Sequence, residues 1–80
     1  MKTSDAVAQR IRELLKEQGI KQSELEQATG IPHQTMASLM SSRSDGVNLK
    51  TVMLIILGLG ITTIKFFDSP LFDPNKLELN

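Results

Sequence analysis

KQSELEQATGIPHQTMASLMSSR, residues 21–43, decides the fold. Gln22 to Thr29 reads as a short polar helix, Gly30-Ile31 as a sharp turn, and Pro32 or His33 to about Met40 as a second short helix. Glycine takes positive φ without penalty, so Gly30 is a natural stop for the first of these helices. Pro32 fixes its own φ near the helical value and pushes Ile31 toward an extended conformation. At a first turn its missing N–H costs nothing, because that donor has no intrahelical acceptor. Helices of about eight residues, roughly 12 Å long at 1.5 Å per residue, are too short to stand alone. The rest of the chain must hold this pair at a fixed angle.

Leu25, Ala28, Ile31, Met36 and Leu39 fall at spacings that can point inward together. His33, Gln34, Thr35, Ala37 and Ser38 are left on the open side of the second helix, a small, polar face without acids. Such a helix fits the major groove of B-DNA, where Gln bonds adenine bidentately and His can donate to guanine. Ordinary surface helices carry similar faces, so periodicity alone leaves a solvated surface and a base-reading surface both open.

The pattern Q-x-x-L-x-x-x-x-G-I-P-x-x-T-M-x-x-L, carried by Gln22, Leu25, Gly30, Ile31, Pro32, Thr35, Met36 and Leu39, resembles the helix-turn-helix of the phage repressor and Cro type, the bacterial regulator family called Xre. The resemblance continues through RIRELLKEQGIKQ before it and NLKTVMLIILGLGITTIKFFDS after it, and covers about residues 5–69. It implies an all-α, five-helix repressor-like bundle that binds double-stranded DNA as a transcriptional regulator, with its helix-turn-helix at helices 2 and 3. His33, Gln34 and Ser38 would then read base edges, while Gln22, Thr35 and Arg43 would hold phosphates. Arg10 and Lys21 are further phosphate candidates by the same resemblance. Three features depart from the family pattern. Glu26 replaces a small residue, Lys21 replaces the usual Ser or Thr cap, and SSRSDGVN lacks the compact Glu-Asn-Gly turn.

Working outward, Thr3, Ser4 or Asp5 can cap a helix running to about Gln18, with Gly19 as its stop. Val7, Ile11, Leu14 and Leu15 make its apolar stripe, while Arg10-Glu13 and Glu13-Lys16 are i,i+3 pairs on the wet side. On the other flank, residues 41–48 have loop composition and Asn48 can cap a fourth helix, Leu49 to about Leu57. If Val52, Ile55, Ile56 and Leu59 face the core, then Met53, Leu54 and Leu57 form an apolar patch that marks an interface between copies or a seat for the tail. A fifth helix, capped by Thr62 or Thr63, runs through about Asp68 with Ile64 and Phe67 inward, and Pro70 ends it. Residues 1–69 thus form the domain, and residues 70–80 a tail packed on the fourth helix or at a dimer interface. The tail carries Leu71, Phe72, Leu77 and Leu79, more large apolar side chains than a disordered segment usually has. The alternation of Leu77 and Leu79 could also form a short strand.

Composition bounds the function. Eighty residues make one small domain, and there is no cysteine for a disulfide or a thiolate metal site. One histidine, no Gly-rich phosphate loop and no metal-ligand spacing leave no catalytic constellation, so neither an enzyme nor a cofactor is expected. No basic-then-apolar leader opens the chain, and Val52 to Ile61 is about half a membrane span. A cytoplasmic setting is expected, with no small-molecule effector. Nine bases cancel nine acids, whereas DNA-binding domains are commonly basic. The stretch from Gln27 to Ser44 contains Arg43 and no acid, so the proposed contact face is locally free of repulsion. Few phosphate-neutralising groups per copy mean a shallow salt dependence and favour a homodimer on a palindromic operator. The alternative is a protein-interaction module on the same scaffold, an antitoxin-like partner that uses the apolar patch. Histidine changes charge near neutral pH, so His33 makes DNA binding mildly pH-dependent.

Overall fold

A computed structural model describes residues 1–41 and 47–78. Among them, five α-helices follow in order: α1 (Thr3–Gln18), α2 (Gln22–Thr29), α3 (His33–Met40), α4 (Leu49–Leu59) and α5 (Thr63–Phe67). Two 3-10 turns, Pro70–Phe72 and Pro74–Lys76, complete the tail. The expected all-α bundle is therefore present, with the two short helices where the turn chemistry put them. Gly30 takes φ 74° and its N–H closes onto the Glu26 carbonyl at 2.9 Å.

The first helix starts differently from the sequence expectation. Lys2 occupies the N-cap position, and the Asp5 carboxylate accepts its backbone N–H at 3.0 Å. Thr3 and Ser4 lie inside the first turn, and Ser4 is buried. The same device opens α2, where Glu24 accepts the backbone N–H of Lys21 at 3.3 Å. An acid three residues into the helix takes over the donor that a capping hydroxyl would leave.

Val7, Ile11, Leu14 and Leu15 are buried as their spacing requires, and they meet Leu25, Ile31, Met36, Leu39, Val52, Ile55, Ile56 and Leu59 in one core. Ala28 does not join them; it is exposed at the margin of the α2–α4 contact. That contact is close because Gly58 has no side chain. A Cβ added there would lie 2.5 Å from Thr29 Cγ2.

Helix α1 also holds the others by their ends. The last carbonyls of a helix have no intrahelical donor, and polar side chains of α1 supply donors for three helices. Arg12 Nη2 donates to the Met40 carbonyl at the end of α3. Gln18 Nε2 donates to the Leu59 carbonyl of α4 at 2.9 Å. Arg10 grips α5, its Nε donating to the Phe66 carbonyl at 2.8 Å and its Nη2 to that of Lys65 at 2.7 Å.

In α5 the inward residue is Phe66, fully buried, rather than Ile64 and Phe67, which are 83% and 39% exposed. The three phenylalanines explain this register. Phe66 and Phe72 have ring centroids 5.8 Å apart, and Phe67 meets both edge-on at 5.0 and 4.9 Å. Phe72 arrives from the first 3-10 turn, which seats on α1. The tail then pairs with the chain's beginning: Glu78 N–H donates to the Met1 carbonyl at 2.8 Å, beside a parallel bridge between Lys2 and Glu78. Its main seat is thus α1 and not α4. Leu79, the second residue of the expected strand alternation, lies outside the described residues.

Candidate nucleic-acid interface

The surface of α3 stands clear of the core. Met36, Leu39 and Met40 are buried, while His33, Gln34, Thr35 and Ser38 are exposed and Ala37 is half-buried. Two open concavities flank the helix. One is bordered by His33, Gln34, Ala37, Ser38 and Ser41. The other runs from Gln34, Thr35 and Ser38 across to Asn48 and Thr51 at the start of α4. Gln34 and Ser38 border both, so they occupy the crest between them. Thr35 faces the α4 side. Among the described residues, the three expected to read bases therefore lie along one exposed ridge.

The turn joining α2 to α3 is fixed by a residue that sequence reasoning did not single out. Thr29 Oγ1 donates back to the Leu25 carbonyl at 2.9 Å and accepts the Ile31 N–H at 3.2 Å. A hydroxyl immediately before a Gly-x-Pro turn was the available signal. Asn48 caps α4 as expected, its side chain accepting the Lys50 N–H at 2.8 Å. Arg43 lies outside the described residues.

A sequence-family model for the Cro/C1-type HTH DNA-binding domain matches residues 10–63, which span α1 from Arg10 through the start of α5. The chain belongs to this family. No curated protein and no solved structure gives a match.

The Cro/C1-type assignment makes the chain a DNA-binding regulator with its helix-turn-helix at α2 and α3. Against that background the electrostatics of its contact face differ from the sequence expectation. Glu26, on α2, reaches the start of α3: His33 Nδ1 lies 3.1 and 3.0 Å from its two carboxylate oxygens. Gln22 Nε2 donates to the same carboxylate at 3.0 Å. The Gln22 hydrogen bond above all, and then the histidine, hold the carboxyl below its ordinary range although desolvation pushes the other way. The stretch from Gln27 to Ser44 has no acid of its own, but the Glu26 carboxylate reaches the contact face expected to be free of repulsion. From Gln22 to Ser41 the chain has two acids, Glu24 and Glu26, and no Lys or Arg.

Gln22 opens α2 half-buried, with one of its two amide hydrogens committed to Glu26. Arg10 is not available for phosphate, since two of its donors hold α5 and a third reaches Glu13 at 3.3 Å. Its low side-chain exposure, 12%, agrees with this structural use.

The expected apolar patch is redrawn. Leu54 is half-buried and packs against the core. Leu49, Met53 and Leu57, at i, i+4 and i+8, form the outer stripe of α4, exposed by 64%, 39% and 77%. Ile64 and Phe67 add exposed apolar surface on α5, which packs against α4. Among the described residues no helix is long and apolar enough to cross a membrane, and no cluster of three metal-ligating side chains occurs.

Proposed function

We propose that this Cro/C1-type protein is a sequence-specific transcriptional regulator that binds a palindromic operator as a homodimer in the cytoplasm. The observation that carries the reading is the free ridge of α3, where Gln34 and Ser38 stand between two open concavities and His33 sits at the N-terminal end. In this reading His33, Gln34 and Ser38 meet base edges, and Gln22, Thr35 and Arg43 meet phosphates. Binding, not catalysis, is the activity.

Dimerisation is supported by two independent features. A chain with nine bases and nine acids gains little from counterion release, so one copy alone would bind DNA weakly. Leu57 and Ile64, 77% and 83% exposed on neighbouring helices, are costly to leave in water. Two copies joined through α4 and α5 would bury that surface and present two α3 helices to successive major grooves.

Selection of duplex oligonucleotides from a random pool tests the specificity, and an enriched palindrome is the expected result. Sedimentation tests the pairing: wild type is expected as a dimer at tens of micromolar, and Leu57→Glu with Ile64→Glu as a monomer. The exposed stripe also suits a protein-interaction module. That second reading requires no DNA enrichment and capture of a partner that Leu57→Glu abolishes.

A further inference from the structure

We propose that Glu26 is a positioning residue that fixes the ring tautomer of His33, so that the base edge this side chain reads depends on a proton. The consequence for base reading rests on α3 being the DNA-reading helix; the tautomer itself does not.

The geometry leaves little freedom. An ionised carboxylate can only accept hydrogen bonds. With its oxygens 3.1 and 3.0 Å from Nδ1, the ring must carry its hydrogen on Nδ1. Glu26 stays ionised because Gln22 donates to it from behind at 3.0 Å. Its side chain is 15% exposed, whereas that of His33 is 76% exposed. The carboxylate is therefore the fixed member of the pair and Nε2 the atom turned outward.

Of the other charged groups on the packed elements, Glu24 and Arg12 have partners of their own. Glu24 and Lys21 meet at the N-terminal turn of α2, where the Glu24 carboxylate takes the Lys21 backbone N–H. Arg12 of α1 is held at the far end of α3 by the Met40 carbonyl. Helix α3 has no acid and no other base, and Lys50 is exposed near the start of α4. Among the described residues, Glu26 is the acid within hydrogen-bond reach of the ring.

Two base preferences follow. With the ring neutral, Nε2 is a bare acceptor and matches the amino hydrogens of adenine N6 or cytosine N4. With the ring protonated, Nε2–H donates to the major-groove acceptors, of which guanine presents two, O6 and N7, and adenine N7 and thymine O4 one each. Protonation also cancels one of the two negative charges on a helix pair that lacks Lys and Arg.

His33 is the chain's single histidine, so its ring signals are unambiguous. A long-range proton–nitrogen correlation spectrum of the full chain near pH 8 should show the Nδ1–H tautomer. Glu26→Ala should return the ring to the Nε2–H form that free histidine prefers, with the dispersion of backbone amides reporting that the domain remains folded. Selection from a random duplex pool at about pH 5.5 and pH 8 should exchange guanine for adenine or cytosine at one position, by roughly fivefold or more, the lower end for a base contact. Glu26→Ala should blunt that exchange. A wild-type ring in the Nε2–H form near pH 8 overturns the proposal. An enriched site with identical bases at both pH values overturns the readout while DNA binding stands. No enrichment at either pH overturns the readout together with the DNA-reading role of α3.

Discussion

Alanine at Gly58 tests how closely α2 and α4 must approach for the helix-turn-helix to stand. The new Cβ would lie 2.5 Å from Thr29 Cγ2 and 3.4 Å from Leu25 Cδ1, whereas carbon atoms settle at about 3.5–4.0 Å. Thr29 cannot simply turn away. Its hydroxyl holds the Leu25 carbonyl at 2.9 Å and the Ile31 N–H at 3.2 Å, and rotation breaks both. Overpacking of this kind costs about 1–3 kcal/mol, while helix propensity favours alanine over glycine by about 1 kcal/mol. The clash outweighs or cancels the gain, and Gly58→Ala should destabilise the domain by up to about 2 kcal/mol. Thr29→Ser removes the methyl and keeps the hydroxyl. In that background the propensity gain remains, so Gly58→Ala should be neutral or stabilising by up to about 1 kcal/mol. Thermal denaturation of the four proteins resolves the cycle, since about 1 kcal/mol moves the midpoint by roughly 4–8 °C in a domain of this size. A higher midpoint for Gly58→Ala alone, or effects that add to within about 0.5 kcal/mol, would refute the close-contact account.

Three further outcomes follow from the same geometry. Arg10→Met should cost about 1.5–3 kcal/mol in chemical denaturation through the two lost carbonyl contacts, while leaving the salt slope of DNA binding unchanged; a shallower slope would return Arg10 to the phosphate-binding set. Phe66→Ala should cost about 3–5 kcal/mol and Ile64→Ala stay within about 0.5 kcal/mol, a contrast that reverses if the expected α5 register were the true one. For Glu26, folding lowers the carboxyl's proton affinity, so the bonds it accepts contribute in full above its ordinary value of 4.5 and are lost as pH falls below it. Melting between about pH 3 and pH 6 should therefore fall less steeply on acidification in Glu26→Gln than in wild type.

What could be read from the chain was whatever is decided locally. Gly30, Pro32 and the stripe of Val7, Ile11, Leu14 and Leu15 each act within a turn or two, and α1, α2 and α3 lie where these residues place them. The register of α5 is different. Five residues give barely more than one turn, so Ile64, Phe66 and Phe67 are equivalent candidates until Phe72 and Arg10 choose among them. Arg10 itself resembled a wet-face residue because its i,i+3 partner Glu13 is visible in sequence, whereas its structural partners are 55 and 56 residues away. The same limit hid the chemistry of the contact face. Glu26 and His33 are seven residues apart across a turn, and only the angle between α2 and α3 brings the carboxylate onto the ring. Glu26 was visible as a departure from the family pattern, and its partner was not.

The central claim is that DNA lies across α3. Titration of the nitrogen-labelled protein with the oligonucleotide recovered by selection, followed through backbone amide shifts, addresses it residue by residue. The largest changes should fall on His33 to Ser41 and the opening turn of α2, with α1 and the tail little affected. Shifts concentrated on α1, the tail or the outer stripe of α4, with α3 silent, would contradict it.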